Sequence, residues 1–315
     1  MTAPIGWIPP DAGVGSKWTP FGSAVRLTGA AERAGEEPMR TIAIINRKGG
    51  CGKTAAAVSL AGALGETGRR ALLIDLDPQG SASSWIGPGP TDGRELFEAF
   101  LGTHSLADLA QPARAAGVDI VPASSWLVTA ERTLQVDLAL GAIRAFERLP
   151  AAWDFVLIDC PPTLGYLASA ALCGCREAVL PLQPHGLDAS GVEPVLEEMT
   201  RIRRQLNPDL MLTGIVAGRV SRTNHARDVI AGLRETYDGD LFETTIRDSI
   251  RVPEAAAAGI PVTAYAPDTK VAADIRAVAE ELVARDPDRE DSIPDEDDYR
   301  AGWRGLVGRL VGSRA

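Results

Sequence analysis

Aromatic side chains are scarce in this chain, at 5% of its 315 residues, and histidine occurs only three times. His104, His185 and His225 are scattered, so no histidine-built centre is expected. The four cysteines, Cys51, Cys160, Cys173 and Cys175, do not make a disulfide framework and fit a reducing cytosol. Cys173 and Cys175 are spaced C-x-C rather than C-x-x-C, and no second cluster pairs with them, which argues against a metal site. No stretch is long and apolar enough to span a bilayer as a helix. Residues 1–38 lack the charged n-region and long apolar core of a secretory signal, and they lack a helix-turn-helix pattern. Aliphatic residues, by contrast, are plentiful: hydrophobic content is 45%, ample for a buried core, and alanine runs are frequent.

The most informative stretch is Asn46-Arg47-Lys48-Gly49-Gly50-Cys51-Gly52-Lys53-Thr54. An ordinary phosphate-binding loop reads G-x-x-x-x-G-K-[ST]. Gly52, Lys53 and Thr54 supply its end, but Arg47 stands at the first glycine, leaving K-G-G-x-G-K-T with Lys48 and Lys53 bracketing the loop. Two lysines around one glycine loop suit a polyphosphate. The apolar run 41–46 before it reads as a buried parallel strand, and the run 55–64 after it has strong helix propensity. Backbone N–H groups of Gly49, Gly50, Cys51 and Gly52 would cradle phosphate oxygens at the positive end of that helix. Lys53 would reach the β- and γ-phosphates, and the Thr54 hydroxyl would ligate Mg²⁺. The plain alternative is a glycine-rich turn between a strand and a helix.

Two more apolar runs end in carboxylates. Residues 71–76 run into Asp75 and Asp77, which as strand residues two apart would project to one face. At the C-terminal end of a strand, that face looks towards a ligand in open α/β sheets. Residues 155–158 run into Asp159, the pattern of a Walker B carboxylate that holds Mg²⁺ through water. Each aspartate alone reads equally well as a strand-end turn residue; the order of the three elements is what makes the pattern.

K-G-G-x-G-K-T, D-L-D-P-Q-G at 75–80 and V-L-I-D-C-P-P at 156–162 together resemble the ParA/Soj family of deviant Walker ATPases, within the ParA/MinD superfamily. Pro181-Leu182-Gln183-Pro184, Ser221-Arg222-Thr223-Asn224, and the segments 241–246, 251–255 and 259–262 extend the resemblance from about residue 40 to about residue 285. The resemblance implies a single α/β ATPase domain with ATP and Mg²⁺ as cofactors. Lys48 is similar to the signature lysine that reaches across an ATP-sandwiched homodimer, and Asp77 to the carboxylate that positions the attacking water. Asp159 and Thr54 are implied at Mg²⁺, with Asp75 a further possibility. The family's slow hydrolysis is stimulated by a ParB-like protein. Its ATP-bound dimers coat double-stranded DNA without sequence preference, which implies a cytoplasmic, nucleoid-associated role in chromosome or plasmid partitioning. The alternative is a MinD-like or cargo-positioning ATPase; a metabolic enzyme or metallochaperone is a third, weaker option, with no substrate-pocket signature in its favour.

The chain departs from the family pattern in three places. Cys51 stands where valine is common, and Ala55 replaces a frequent second threonine. The segment Ile246-Arg247-Asp248-Ser249-Ile250-Arg251 replaces P-R-N-V-R, so that Asp248 falls on the first arginine. Arg222 and Arg251 are therefore the DNA-contact candidates, and Arg219 and Arg247 are weaker ones. Net charge is −10, distributed as −7 over residues 1–285, −7 over 286–298 and +4 over 299–315. Any DNA affinity must then come from a local arginine face and be steeply salt-dependent.

The expected organisation is a flexible extension over 1–38, the ATPase domain over 39–285, an acidic linker over 286–298 and a short basic tail over 299–315. In the tail, Trp303, Leu306, Val307, Leu310 and Val311 share one helical face. That stripe could dock on a partner, fold back or touch a membrane. The expected fold is α/β, a doubly wound, mostly parallel sheet. Its strands are expected at 41–46, 71–76, 118–122, 155–160, 177–182 and 213–218, with a short one near 262–265.

Overall fold

Aliphatic runs without polar alternation can be buried on both faces, and the sheet is built from such runs. A computed structural model describes residues 38–133, 135–184, 191–237 and 239–288. Residues 1–37 of the N-terminal extension, residues 289–298 of the acidic linker and the whole basic tail lie outside them. The strands are β1 (Arg40–Ile44), β2 (Ala71–Asp75), β3 (Gln111–Pro112), β4 (Val118–Val121), β5 (Phe155–Asp159), β6 (Glu177–Leu182) and β7 (Met211–Ala217). They form one sheet in the order β3-β4-β2-β5-β1-β6-β7. Every pairing is parallel except β3 with β4. Every residue of β1, β2, β5, β6 and β7 is buried.

The helices are α1 (Lys53–Glu66), α2 (Ser81–Ile86), α3 (Glu95–Phe100), α4 (Leu106–Leu109), α5 (Trp126–Thr133) and α6 (Gln135–Glu147), then α7 (Tyr166–Gly174), α8 (Glu193–Gln205), α9 (Asn224–Thr236), α10 (Arg251–Ala258), α11 (Val262–Tyr265) and α12 (Lys270–Ala284). Side chains alternate along each strand, so the sheet carries two cores. Ile42, Ile44, Leu73 and Leu157 pack under α1, α2, α11 and α12. Ala43, Leu72, Ile74, Val156 and Ile158 pack on the other face against α3, α6, α7, α8 and α9. Helices on both faces of a mostly parallel sheet make the doubly wound fold that the sequence led us to expect.

The expected strand near 262–265 is instead the helix α11. Val262 and Thr263 favour a strand locally, but Pro261 precedes the turn with φ −59° and ψ 151°. Pro261 also lies so close to α1 that a Cβ on Gly62 would meet its Cβ at 2.6 Å. Burial of Val262 against α1 overrides the local preference. Asp77 is likewise not a strand residue: β2 ends at Asp75, and the turn that follows is closed by the Gly80 N–H to the Asp77 carbonyl at 2.8 Å.

Neither sheet edge is a plain open strand. At one, Pro112 of β3 offers no N–H. At the other, Ile215 of β7 donates to the Asp240 carbonyl at 2.8 Å and accepts from the Phe242 N–H at 2.9 Å. At the foot of the sheet, Arg40 donates through Nε to Glu177 at 2.8 Å and through Nη1 to the Leu282 carbonyl at 2.8 Å. The Thr213 hydroxyl donates to the same carboxylate at 2.6 Å.

Candidate functional site

The loop after β1 is fixed from both sides. Buried Asn46 donates to the Pro181 carbonyl of β6 at 2.7 Å and accepts from the Lys48 N–H at 3.0 Å. Gln183 donates to the Gly50 carbonyl at 2.6 Å. Gly50 and Gly52 take φ values of 74° and 98°, a left-handed backbone that favours glycine. Gly52 caps α1 without a side-chain acceptor, which leaves the first N–H groups of that helix to an external acceptor. Nothing lies within 4 Å of where a Cβ would stand on Gly49, Gly50 or Gly52. The loop thus leaves open space beside its glycines at the N-terminus of α1.

Lys53 is buried at the first position of α1, and its Nζ donates to the Lys48 carbonyl at 3.2 Å. Lys48 itself is half-buried. Cys51 is buried in the loop, and burial pushes its thiol pKa up, so its backbone is the part that faces the site. Cys173 and Cys175 are also buried; burial pushes Cys173 up to about 12 and Cys175 well above the ordinary thiol range, so neither presents a thiolate.

At the foot of the loop stands Asp159, the last residue of β5, fully buried with neither carboxylate oxygen hydrogen-bonded. Burial and then the neighbouring Asp75 push its pKa well above the ordinary carboxylate range. Thr54 and Lys53 pull the other way, though the Thr54 hydroxyl falls short of a well-formed hydrogen bond. Asp75 and Asp159 are register partners on adjacent strands, hence on one face. Burial raises Asp75 to about 6 despite two donors from Ser83, its N–H at 2.8 Å and its hydroxyl at 2.6 Å. Its other oxygen accepts the Asp77 N–H at 3.2 Å. Asp75 is therefore engaged in anchoring α2, and Asp159 is the carboxylate with unused acceptor capacity. Two orphaned, buried carboxylate oxygens beside a threonine hydroxyl fit a hard cation such as Mg²⁺. Asp77 is half-buried in its turn, its Oδ1 accepting the Gln79 N–H at 2.9 Å.

On the outer side of the loop a cavity of about 520 Å³ lies between Gly50, Cys51 and Gly52 and a wall that includes Arg219, Asp248 and Val252. Nothing in the sequence signals this cavity, because its wall comes from segments far apart in the chain. Nor does anything there signal the Ser83 anchor, since a serine after a D-P-Q-G turn is unremarked as a sequence. A parallel bridge between Val220 and Arg247 brings the two arginine segments side by side. Their four arginines are held differently. Arg222 is exposed and has no ion-pair partner among the described residues. Arg251 pairs with Glu254 at 2.6 Å, and Arg219, at φ 51°, pairs with Asp248 at 3.3 Å. Arg247 forms a fork on Asp274 at 2.5 and 2.7 Å.

Comparison with known proteins places these features in context. The family model described as an AAA domain matches residues 39–212. The chain is 35% identical over 265 residues to the chromosome partitioning protein ParA of Caulobacter vibrioides, covering 80% of this chain and 97% of that one. It is 31% identical over 249 residues to the sporulation initiation inhibitor protein Soj of Bacillus subtilis, covering 78% and 98% of the two chains. Among solved structures it is similar to a cobyrinic acid a,c-diamide synthase from Mycobacterium smegmatis with bound ATP analogue and magnesium. The TM-score is 0.68 at 30% identity, over 78% of this chain and 95% of that one.

Proposed function

The chain belongs to the ParA/Soj family of deviant Walker ATPases, within the ParA/MinD superfamily, and from that premise we propose that it is a partitioning ATPase that works as an ATP-dependent dimerising switch on DNA. The observation that carries the reading is the buried Asp159 carboxylate, unsatisfied at both oxygens, beneath a glycine loop with open space beside Gly49, Gly50 and Gly52.

The residues divide the work as follows. Amides of Gly49, Gly50, Cys51 and Gly52, with the N-terminus of α1, hold the phosphates of ATP. Lys53 exchanges the Lys48 carbonyl for β- and γ-phosphate oxygens. Thr54 and Asp159 are the residues that would hold Mg²⁺, Thr54 through its hydroxyl and Asp159 through water. Mg²⁺ when bound neutralises charge on the β- and γ-phosphates. Asp77, released from the Gln79 N–H, orients the attacking water towards the γ-phosphorus. The new P–O bond forms as the bond to the β-phosphate oxygen breaks, giving ADP and phosphate. Lys48 of one protomer reaches the phosphates held by its partner, so that ATP joins the dimer and hydrolysis dissolves it. A ParB-like protein would stimulate that slow step. Arg222 and Arg251 are the contacts to duplex DNA. A MinD-like use of the tail concerns residues outside those described.

Lys53→Ala should weaken ATP binding about tenfold or more and abolish the ATP dimer. Lys48→Ala should leave ATP binding nearly intact and remove the dimer. Nucleotide titration and analytical ultracentrifugation read the two effects separately. Normal ATP-dependent dimerisation by Lys48→Ala would leave only a generic P-loop ATPase. Asp77→Ala should hold ATP unhydrolysed and yield a dimer that retards duplex DNA of arbitrary sequence.

A further inference from the structure

DNA binding by a chain of net charge −10 depends on a few arginines, and the surface that carries them is compensated from within. Asp248 stands where the family pattern P-R-N-V-R has its first arginine. In the structure it holds Arg219 in an ion pair whose members are 61% and 53% exposed. Glu254 holds Arg251 one turn along α10, again on the surface. Exposed pairs of this kind are weak and open readily to solvent. A phosphate offers the same guanidinium a charge-assisted, forked contact and releases condensed counterions from the DNA.

Arg247 differs in kind. Its partner Asp274 is only 12% exposed and also accepts the Arg247 N–H at 3.1 Å, so this arginine is bound into the join between its loop and α12. Arg219 is held at the surface by its neighbours: the Val220 N–H donates to the Ile246 carbonyl at 3.0 Å, and the Asp248 N–H to the Val220 carbonyl at 3.1 Å. Its left-handed backbone, uncommon away from glycine, is maintained by those two bonds. Arg222 is left as the uncompensated member of the four.

We propose that Asp248 and Glu254 are built-in competitors for DNA phosphate, which occupy Arg219 and Arg251 and thereby set the affinity and salt dependence of this surface; the inference rests on the DNA-binding reading above. They act as an internal brake. Wherever a carboxylate keeps its arginine, DNA forgoes that phosphate contact, so the wild type makes fewer contacts than its arginines allow, and a dimer, with twice the number of arginines, gathers more of them. Removing the acids' charge releases the brake.

The test uses full-length protein with ATP and Mg²⁺, and fluorescence anisotropy of an arbitrary duplex across a salt series. Asp248→Asn and Glu254→Gln should each tighten binding, and the double variant should do so about tenfold at low salt, with the slope of log K against log salt steeper by up to about 0.9 for each arginine that gains a phosphate. Adding Arg219→Ala to Asp248→Asn should cancel that variant's gain. Wild-type affinity and slope in the double variant, with the wild type binding, would overturn the inference and leave the DNA reading standing. A gain that survives Arg219→Ala would overturn it too, because it would then be an effect of net charge alone. If neither wild type nor double variant binds DNA at low salt, the DNA reading itself falls.

Discussion

Two carboxylates at the ends of β2 and β5 face each other in the dry interior, and their titration couples the site to stability. Asp75 has a folded pKa of about 6 against an ordinary value of 3.8. A carboxyl raised in this way binds its proton more tightly in the folded protein. Its stabilising contribution is complete below about pH 4 and is lost as pH rises to about 6. Asp159 is displaced in the same direction. Asp75→Asn, which keeps an acceptor for Ser83, should therefore be more stable than wild type in nucleotide-free, metal-free protein at neutral pH. The rise from 3.8 to about 6 is worth about 3 kcal/mol, less about 1 kcal/mol for the acceptor lost to the Asp77 N–H, and the gain disappears towards pH 4. Thermal unfolding across that range measures it, and a pH-independent difference would refute the assignment. Gly52→Ala tests the loop itself. A side chain at φ 98° strains the backbone that aims the amides, and ATP affinity should fall about tenfold or more with little change in the fold. The loop and the three carboxylates were legible in the sequence because phosphate chemistry fixes residue types at fixed spacings. The arginine pairings were not: Arg247 meets Asp274 across 27 residues and Arg219 meets Asp248 across 29, distances at which sequence alone gives no pairing rule.

Elements were readable where burial on both faces demanded continuous aliphatic runs, as in β1, β2, β5, β6 and β7. They were unreadable where packing overruled local preference, as in α11, or where too little sequence was involved, as in the two-residue β3. A helix can also be misjudged from propensity. Gly65 lies inside α1, where alanine would ordinarily be favoured by ~1 kcal/mol. A Cβ there would stand 2.0 Å from the Ala116 carbonyl oxygen, a backbone atom of the turn before β4. Gly65→Ala should accordingly destabilise the protein, by about 1–3 kcal/mol, in urea unfolding. An unchanged or improved midpoint would show that the turn yields freely.

At the scale of the whole molecule, the buried pair of Arg40 and Glu177 ties β1 to β6, to Thr213 of β7 and to the end of α12. Removing one partner strands the other charge in the interior. Glu177→Ala should cost about 3–5 kcal/mol in denaturant unfolding while leaving the distant phosphate loop able to bind ATP in the protein that remains folded. On the DNA-binding reading proposed above, the overall charge of −10 is a poor guide, because what counts there is which arginines are compensated. The sheet edges bear on how copies of the protein can meet. Among the described residues, proline at β3 and the strap of residues 240–242 along β7 both disfavour a further strand zipping onto the sheet. Fusing the sheets of two copies into one continuous ribbon is thereby disfavoured. In the proposed ATP-joined dimer they would meet through loops and side chains, and a junction of that kind would come apart once the nucleotide at its centre is cut, where a shared ladder of backbone hydrogen bonds would persist.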